Sequence, residues 1–216
     1  MKIIGINGSP RKNKNTAILL KKALEGAESC GAETDFIHLY GFEYKGCISC
    51  FACKLINGKS YGKCAFKDGL TPVLEKISDA DAIILASPIC FESVTGNMRS
   101  FMERLLFPYQ TYTDGYKSIF GRKIPTGFIY TMNVTVEQMN ELGYAQGLKF
   151  SEMDLKRVFG YFESLVVNDT YQFDDYSKYV VTVFDGAKKA KVREKEFLVY
   201  YKKAYDLGAK FTQINL

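Results

Sequence analysis

The 216-residue chain contains one histidine and no tryptophan. With His38 as its only imidazole, the chain has one residue on which to build a Ser-His or Cys-His hydrolase. His38 lies inside the strand-like stretch 34–40, where a packed side chain is the ordinary reading, so that chemistry is set aside. No apolar run approaches the length needed to span a bilayer, and Lys2 leads straight into a strand with no charged-then-apolar leader. Both absences predict a cytoplasmic protein with no membrane partner. There the six cysteines stay reduced and serve as ligands or reactive thiols rather than disulfides. Neither G-x-x-x-x-G-K-[ST] nor G-x-G-x-x-G occurs, which excludes a P-loop nucleotidase and a dinucleotide fingerprint. Repeats, low-complexity tracts and linkers are also missing, so residues 1–216 read as one domain. The net charge of +5 is too mild to call for nucleic acid, and Lys188, Lys189 and Lys191 read as a solvated helix face.

What is present begins at the first sixteen residues. Ile3, Ile4 and Ile6 form the short apolar run of a buried parallel strand, which Asn7-Gly8-Ser9-Pro10 ends. A helical pattern starts near Asn15 or Thr16, with Ala17, Leu20, Leu24 and Ala27 on one face. Strand, polar loop and helix together aim backbone N–H groups and a helix dipole at an anion. Ser9 and Thr16 add hydroxyls, Asn13 and Asn15 add amides, and Arg11 offers a fork for a phosphate. With the two nucleotide motifs excluded, the site is sized for one terminal phosphate, such as that of flavin mononucleotide.

Further along, apolar runs at 81–86 and 165–167 and the stretch 123–130 predict three more parallel strands after the one at 34–40. Helices are predicted from Gly69, over 97–106, as two short pieces within 136–161, and at the C-terminus around Phe197, Tyr200, Ala204, Leu207 and Phe211. The alternation implies a doubly wound α/β sheet of five parallel strands, order 2-1-3-4-5, with helices on both faces. Its ligand would sit beyond the strands' carboxyl ends, where strand order reverses. Two insertions stand out. Residues 107–121 are rich in aromatics and glycine and are predicted to cover a neighbouring subunit's site or to pack on their own domain, with the first favoured. Residues 41–69 hold Cys47, Cys50 and Cys53 at two-residue intervals, then Cys64 after ten more. Thiolates so spaced on a turning chain can converge on zinc or an iron–sulfur cluster, or stand free as redox-active thiols. Cys30 reads as inert core, and residues 169–185 as a solvated or interfacial loop.

The run Gly8-Ser9-Pro10-Arg11-Lys12-Asn13-Lys14-Asn15-Thr16 after an N-terminal strand resembles the phosphate loop of the flavodoxin-like, NAD(P)H-dependent FMN reductase family, including its iron–sulfur flavoprotein branch. Residues 87–96 resemble that family's S-P-[IV]-Y-F-x-S-V-[ST]-[GA] loop, which carries the flavin ring on backbone amides. The resemblance implies ring contacts at Pro88, Ile89, Cys90, Phe91, Glu92 and Ser93, with Cys90 where tyrosine is common. It also implies contacts to the flavin's polar edge at Thr131 and Asn133, and a homodimer or homotetramer. The cysteine stretch resembles the compact motif that binds a [4Fe–4S] cluster beside FMN, although its last gap is longer than that branch usually has.

Hydride transfer to a flavin requires no side-chain acid or base, so no catalytic residue is named. Three functions follow. The first, and the preferred one, is an NAD(P)H-dependent flavin oxidoreductase passing electrons through FMN to a small-molecule acceptor. The second is an iron–sulfur flavoprotein carrying electrons between a ferredoxin-type partner and FMN. The third is a non-catalytic flavin or thiol sensor.

Overall fold

The computed structural model describes residues 1–216. Strand β1 (Lys2–Asn7) leads into helix α1 (Asn15–Ser29), and β2 (Glu33–His38) follows. After the cysteine stretch come α2 (Thr71–Ser78), β3 (Ala82–Cys90), the two-residue β4 (Ser93–Val94) and α3 (Gly96–Leu106). The chain closes with β5 (Ile124–Thr131), α4 (Val136–Glu141), α5 (Tyr144–Phe159), β6 (Gly160–Val167) and α6 (Gly186–Phe211).

The five long strands pair in parallel in the order β2-β1-β3-β5-β6, which is the expected 2-1-3-4-5 once β4 is set aside. That small strand is an addition: it folds back antiparallel on the end of β3, Ile89 opposite Val94 and Cys90 opposite Ser93. Side chains alternate across the sheet. Ile4, Ile6, Ile83, Leu85, Phe128 and Tyr130 enter the core under α2, α3 and α5, while Ile3, Ala82, Ile84, Ala86 and Ile129 face α1 and α6. With both faces covered, β1, β3 and β5 are buried along most of their length, the pattern of a parallel sheet.

Helices α1 and α6 meet at backbone distance. A Cβ on Gly26 would lie 2.0 Å from the Tyr205 carbonyl oxygen, and one on Gly208 would lie 1.7 Å from that of Ala23. Two small positions thus let a long C-terminal helix close that face of the sheet.

Several expectations need correction. The fifth parallel strand begins at Gly160 rather than Leu165, because α5 turns directly into it through Gly160 at φ 95°. Of the two helices expected within 136–161, α4 is short, but α5 runs for sixteen residues. Cys30 is exposed at the C-cap of α1 rather than in the core. Lys189 is buried at 4% exposure, so the lysine cluster is not wholly a solvated face. The 107–121 insertion also makes contacts within its own domain, where Tyr109 and Phe120 meet edge-to-face at 4.9 Å and Phe120 meets Phe159 at 4.8 Å. Arg122 just beyond it bonds the carbonyls of Ser78 and Ala80, at the end of the sheet opposite the strands' carboxyl ends.

Candidate flavin and cysteine sites

Three loops meet beyond the carboxyl ends of β1, β3 and β5. In the first, Asn7 Oδ1 accepts the Ser9 N–H at 3.1 Å, and the Asn7 amide donates to His38 Nδ1 at 2.9 Å. That bond places the lone pair on Nδ1 and the proton on Nε2. Buried Ser9 accepts the Arg11 N–H through its hydroxyl at 3.1 Å, curling the loop. No side chain caps α1, and the N–H groups of Asn13, Asn15, Thr16 and Ala17 find no acceptor within the chain. A helix start left open beside buried polar residues is a ready anion seat.

The second loop is fastened to the first. Gly8 donates its N–H to Ala86 O at 2.8 Å and accepts the Thr95 hydroxyl at 2.7 Å, while Thr95 also caps α3 by accepting the Met98 N–H. Ser87 Oγ in turn accepts the Thr95 N–H. Between them the β3–β4 hairpin turns through Phe91 and Glu92, both left-handed at φ 48° and 63°, with Phe91 fully exposed at its tip. Cys90 is exposed on the same hairpin, and Pro88, Ile89 and Ser93 complete it.

The third loop joins the first through a buried bond between the Thr16 and Thr131 hydroxyls at 2.7 Å. Asn133 Oδ1 is buried without a partner, an acceptor left over for a donor outside the chain. The predicted phosphate and polar-edge residues therefore lie together, but their side chains are partly engaged. Arg11 donates to Gln172 O at 2.7 Å, Asn15 to Tyr171 O at 2.8 Å, and Asn133 to Gln172 Oε1 at 2.8 Å. Lys14 pairs with Asp174 at 2.7 Å. Residues 171–174, part of the 169–185 stretch read from sequence as a solvated or interfacial loop, cross the loop after β1 as a strap. Arg11 is thereby held to the strap rather than forked toward the open N–H groups. From α6, Arg193 bonds Asn15 Oδ1 at 2.5 Å, and the buried Lys189 ammonium bonds Asn133 O and pairs with Asp169. Gln172, Lys189 and Arg193 carry no local motif, and Asn7 and Thr95 lie in the two loops read from sequence without any local sign of these contacts. Their roles arise from contacts between distant segments.

The four loop cysteines line one hollow with Phe51, Phe66 and Arg104. Ser49 and Phe51 take left-handed φ values of 52° and 55°, which reverses the chain between successive thiols. The ten-residue gap is an excursion closed by the Gly62 N–H on Cys53 O at 3.0 Å. Its base is pinned by Lys54, whose ammonium bonds the carbonyls of Phe107, Pro108 and Gln110. Helix α3 holds both ends of the motif. Glu103 accepts the Cys47 N–H at 3.2 Å, and Arg104 Nε donates to Cys64 Sγ at 3.3 Å. Burial pushes the Cys53 thiol's pKa up. No three thiol, carboxylate or imidazole groups converge closely enough to hold a single ion, so the hollow lacks the tight tetrahedral form of a zinc site.

The sequence profile of the NADPH-dependent FMN reductase family matches residues 1–177. An iron–sulfur flavoprotein of Methanocaldococcus jannaschii is 41% identical over 104 residues, covering 48% of this chain and 51% of the relative. One from Methanosarcina thermophila is 34% identical over 104 residues, covering 48% and 52%. The chain thus aligns with about half the length of the curated relatives it matches. Among solved structures, an NAD(P)H:quinone oxidoreductase from Methanothermobacter marburgensis superposes with a TM-score of 0.69 at 13% identity, over 97% of this chain and 98% of that one. An FMN-dependent NADH-azoreductase from Bacillus anthracis gives 0.65 at 12%, over 97% and 99%. At such identities the likeness is one of fold.

Proposed function

From a chain that belongs to the NADPH-dependent FMN reductase family, we propose an FMN-binding oxidoreductase of the iron–sulfur flavoprotein type. It would hold FMN at the switch point and a [4Fe–4S] cluster at Cys47, Cys50, Cys53 and Cys64, and move electrons between a nicotinamide or ferredoxin-type donor and a small-molecule acceptor. The observation that supports the cluster is that all four cysteines line one hollow even though ten residues separate the last two. Four thiols suit iron–sulfur chemistry, and a polynuclear cluster needs its ligands set wider apart than a single ion does.

The residues also fit FMN. The open N–H groups at the start of α1, with Ser9 and Thr16, would take the phosphate, and Asn13 and Asn15 would flank it. The 88–93 hairpin would carry the ring, with Thr131 and the unpartnered Asn133 Oδ1 at its polar edge. Bound FMN supplies hydride and single-electron chemistry, and the cluster supplies single-electron transfer. The chain's own work is positional. Asn7 and Thr95 tie the loops to the strand ends, and the exposed ring of Phe91 suits a contact with another subunit.

A second reading is a plain NAD(P)H-dependent reductase with free loop thiols, favoured by the failure of any three thiols to converge on one ion. Anaerobic purification followed by an absorption spectrum and iron, sulfide and zinc analysis separates the two. Flavin bands with a broad brown shoulder and about four iron and four sulfide per chain are expected. Flavin with little iron leaves the plain reductase, and failure to bind added FMN rejects both.

A further inference from the structure

Arg104 is fully shielded from solvent, and each nitrogen of its guanidinium has a partner. Nη1 bonds Asp68 at 2.5 Å and Lys45 O at 3.2 Å, Nη2 bonds Phe66 O at 2.7 Å, and the group lies 5.0 Å over the Phe66 ring. Those contacts alone would pin the loop. The remaining edge, Nε, is aimed at Cys64 Sγ at 3.3 Å. Cys64 is the thiol that returns after the excursion, so its direction is the one the local motif cannot fix. A planar fork rigid on all sides can hold such a sulfur, which a flexible lysine cannot.

Resting on the cluster reading above, we propose that Arg104 is a positioning residue of the cysteine centre, turning Cys64 toward the hollow and placing a hydrogen bond and a fixed positive charge against its sulfur. Hydrogen bonds to cluster sulfurs and local net charge are what set a cluster's potential. Loss of the Nε–H···S bond therefore lowers the potential of the centre and loosens its fourth ligand. Asp68, paired with the same guanidinium, makes no hydrogen bond to a cysteine; its loss removes a negative charge and so acts on the potential in the opposite direction.

The test uses full-length wild type, Arg104→Gln and Asp68→Asn, each reconstituted anaerobically with iron and sulfide. Iron, sulfide and FMN contents and the midpoint potential are read. Asp68→Asn, which removes a negative charge, is expected to titrate at or above the wild-type potential. Arg104→Gln is expected to retain FMN while titrating about 59 mV lower, a tenfold change in the one-electron ratio at fixed poise. Equal shifts in the two variants, or no shift in Arg104→Gln, overturn the proposal and leave Arg104 a loop pin. Should Arg104→Gln lack FMN and a cooperative melt, Arg104→Lys is read in its place.

Wild type that takes up no iron and sulfide rejects the cluster reading instead, and the metal-free thiols then decide on Arg104. Its replacement is expected to change the alkylation of Cys64 about tenfold relative to exposed Cys30, since both the charge beside the sulfur and its access are altered. An unchanged ratio overturns the positioning role.

Discussion

His38 accepts a hydrogen bond from Asn7, and Asn7 in turn holds the Ser9 N–H, so a strand histidine supports the loop after β1, the proposed phosphate seat, at one remove. Burial, helped by the charge of Lys12, lowers its pKa from the ordinary 6.5. Protons therefore bind the unfolded chain more readily than the folded one. The stability due to neutral His38 is complete above pH 6.5 and is lost as pH falls through the lowered folded value. Protonation also removes the lone pair that Asn7 needs. FMN affinity is expected to fall several-fold between pH 7.5 and 5, about the worth of one hydrogen bond. His38→Phe should bind FMN more weakly at pH 7.5 and show a flatter profile. Titration of FMN fluorescence quenching across that range checks it, and a wild-type profile as flat as the variant's would exclude His38 from the support chain.

Helix α6 is the element whose fit depends most on what a side chain would obstruct. At Gly208 even a methyl group meets the Ala23 carbonyl, so α1 and α6 must part or bend to admit it. Gly208→Ala should cost about 1–3 kcal/mol despite the better helix propensity of alanine. The melting temperature should drop by about 2–4 °C for each kcal/mol. Thermal unfolding followed by circular dichroism measures this, and a variant as stable as wild type would mean that the close approach is not maintained. The periodicity around Phe197, Ala204, Leu207 and Phe211 made the helix legible, because it reports the buried stripe. It carried no sign of the glycine contact, which depends on two segments far apart in sequence. β4 was illegible for a different reason. Two residues have no period, and the left-handed Phe91 and Glu92 before them are not turn-forming residues.

At the scale of the molecule, the doubly wound sheet was readable because its central strands carry dense apolar stretches alternating with helical ones, and the switch point then placed three loops together without any contact being known. The completion of the site was not readable. It comes from the strap at 171–174 and from α6, and α6 lies beyond the 177 residues that the family profile matches. Lys189 shows why. Flanked by Lys188 and Lys191 it looks like one more surface charge, yet only the fold buries it against Asn133 O and Asp169. Lys189→Met leaves a largely buried carboxylate without its cation and a loop carbonyl without its donor. Removing one partner of such a pair costs about 3–5 kcal/mol when fully buried, and somewhat less is expected at the partly exposed Asp169. Because Asn133 moves with that carbonyl, FMN affinity should fall together with stability, whereas exposed Lys188→Met should change neither. Paired thermal melts and FMN titrations of the two variants check the point. Equal behaviour of the two lysines would mean that the C-terminal helix covers the sheet without taking part in the site.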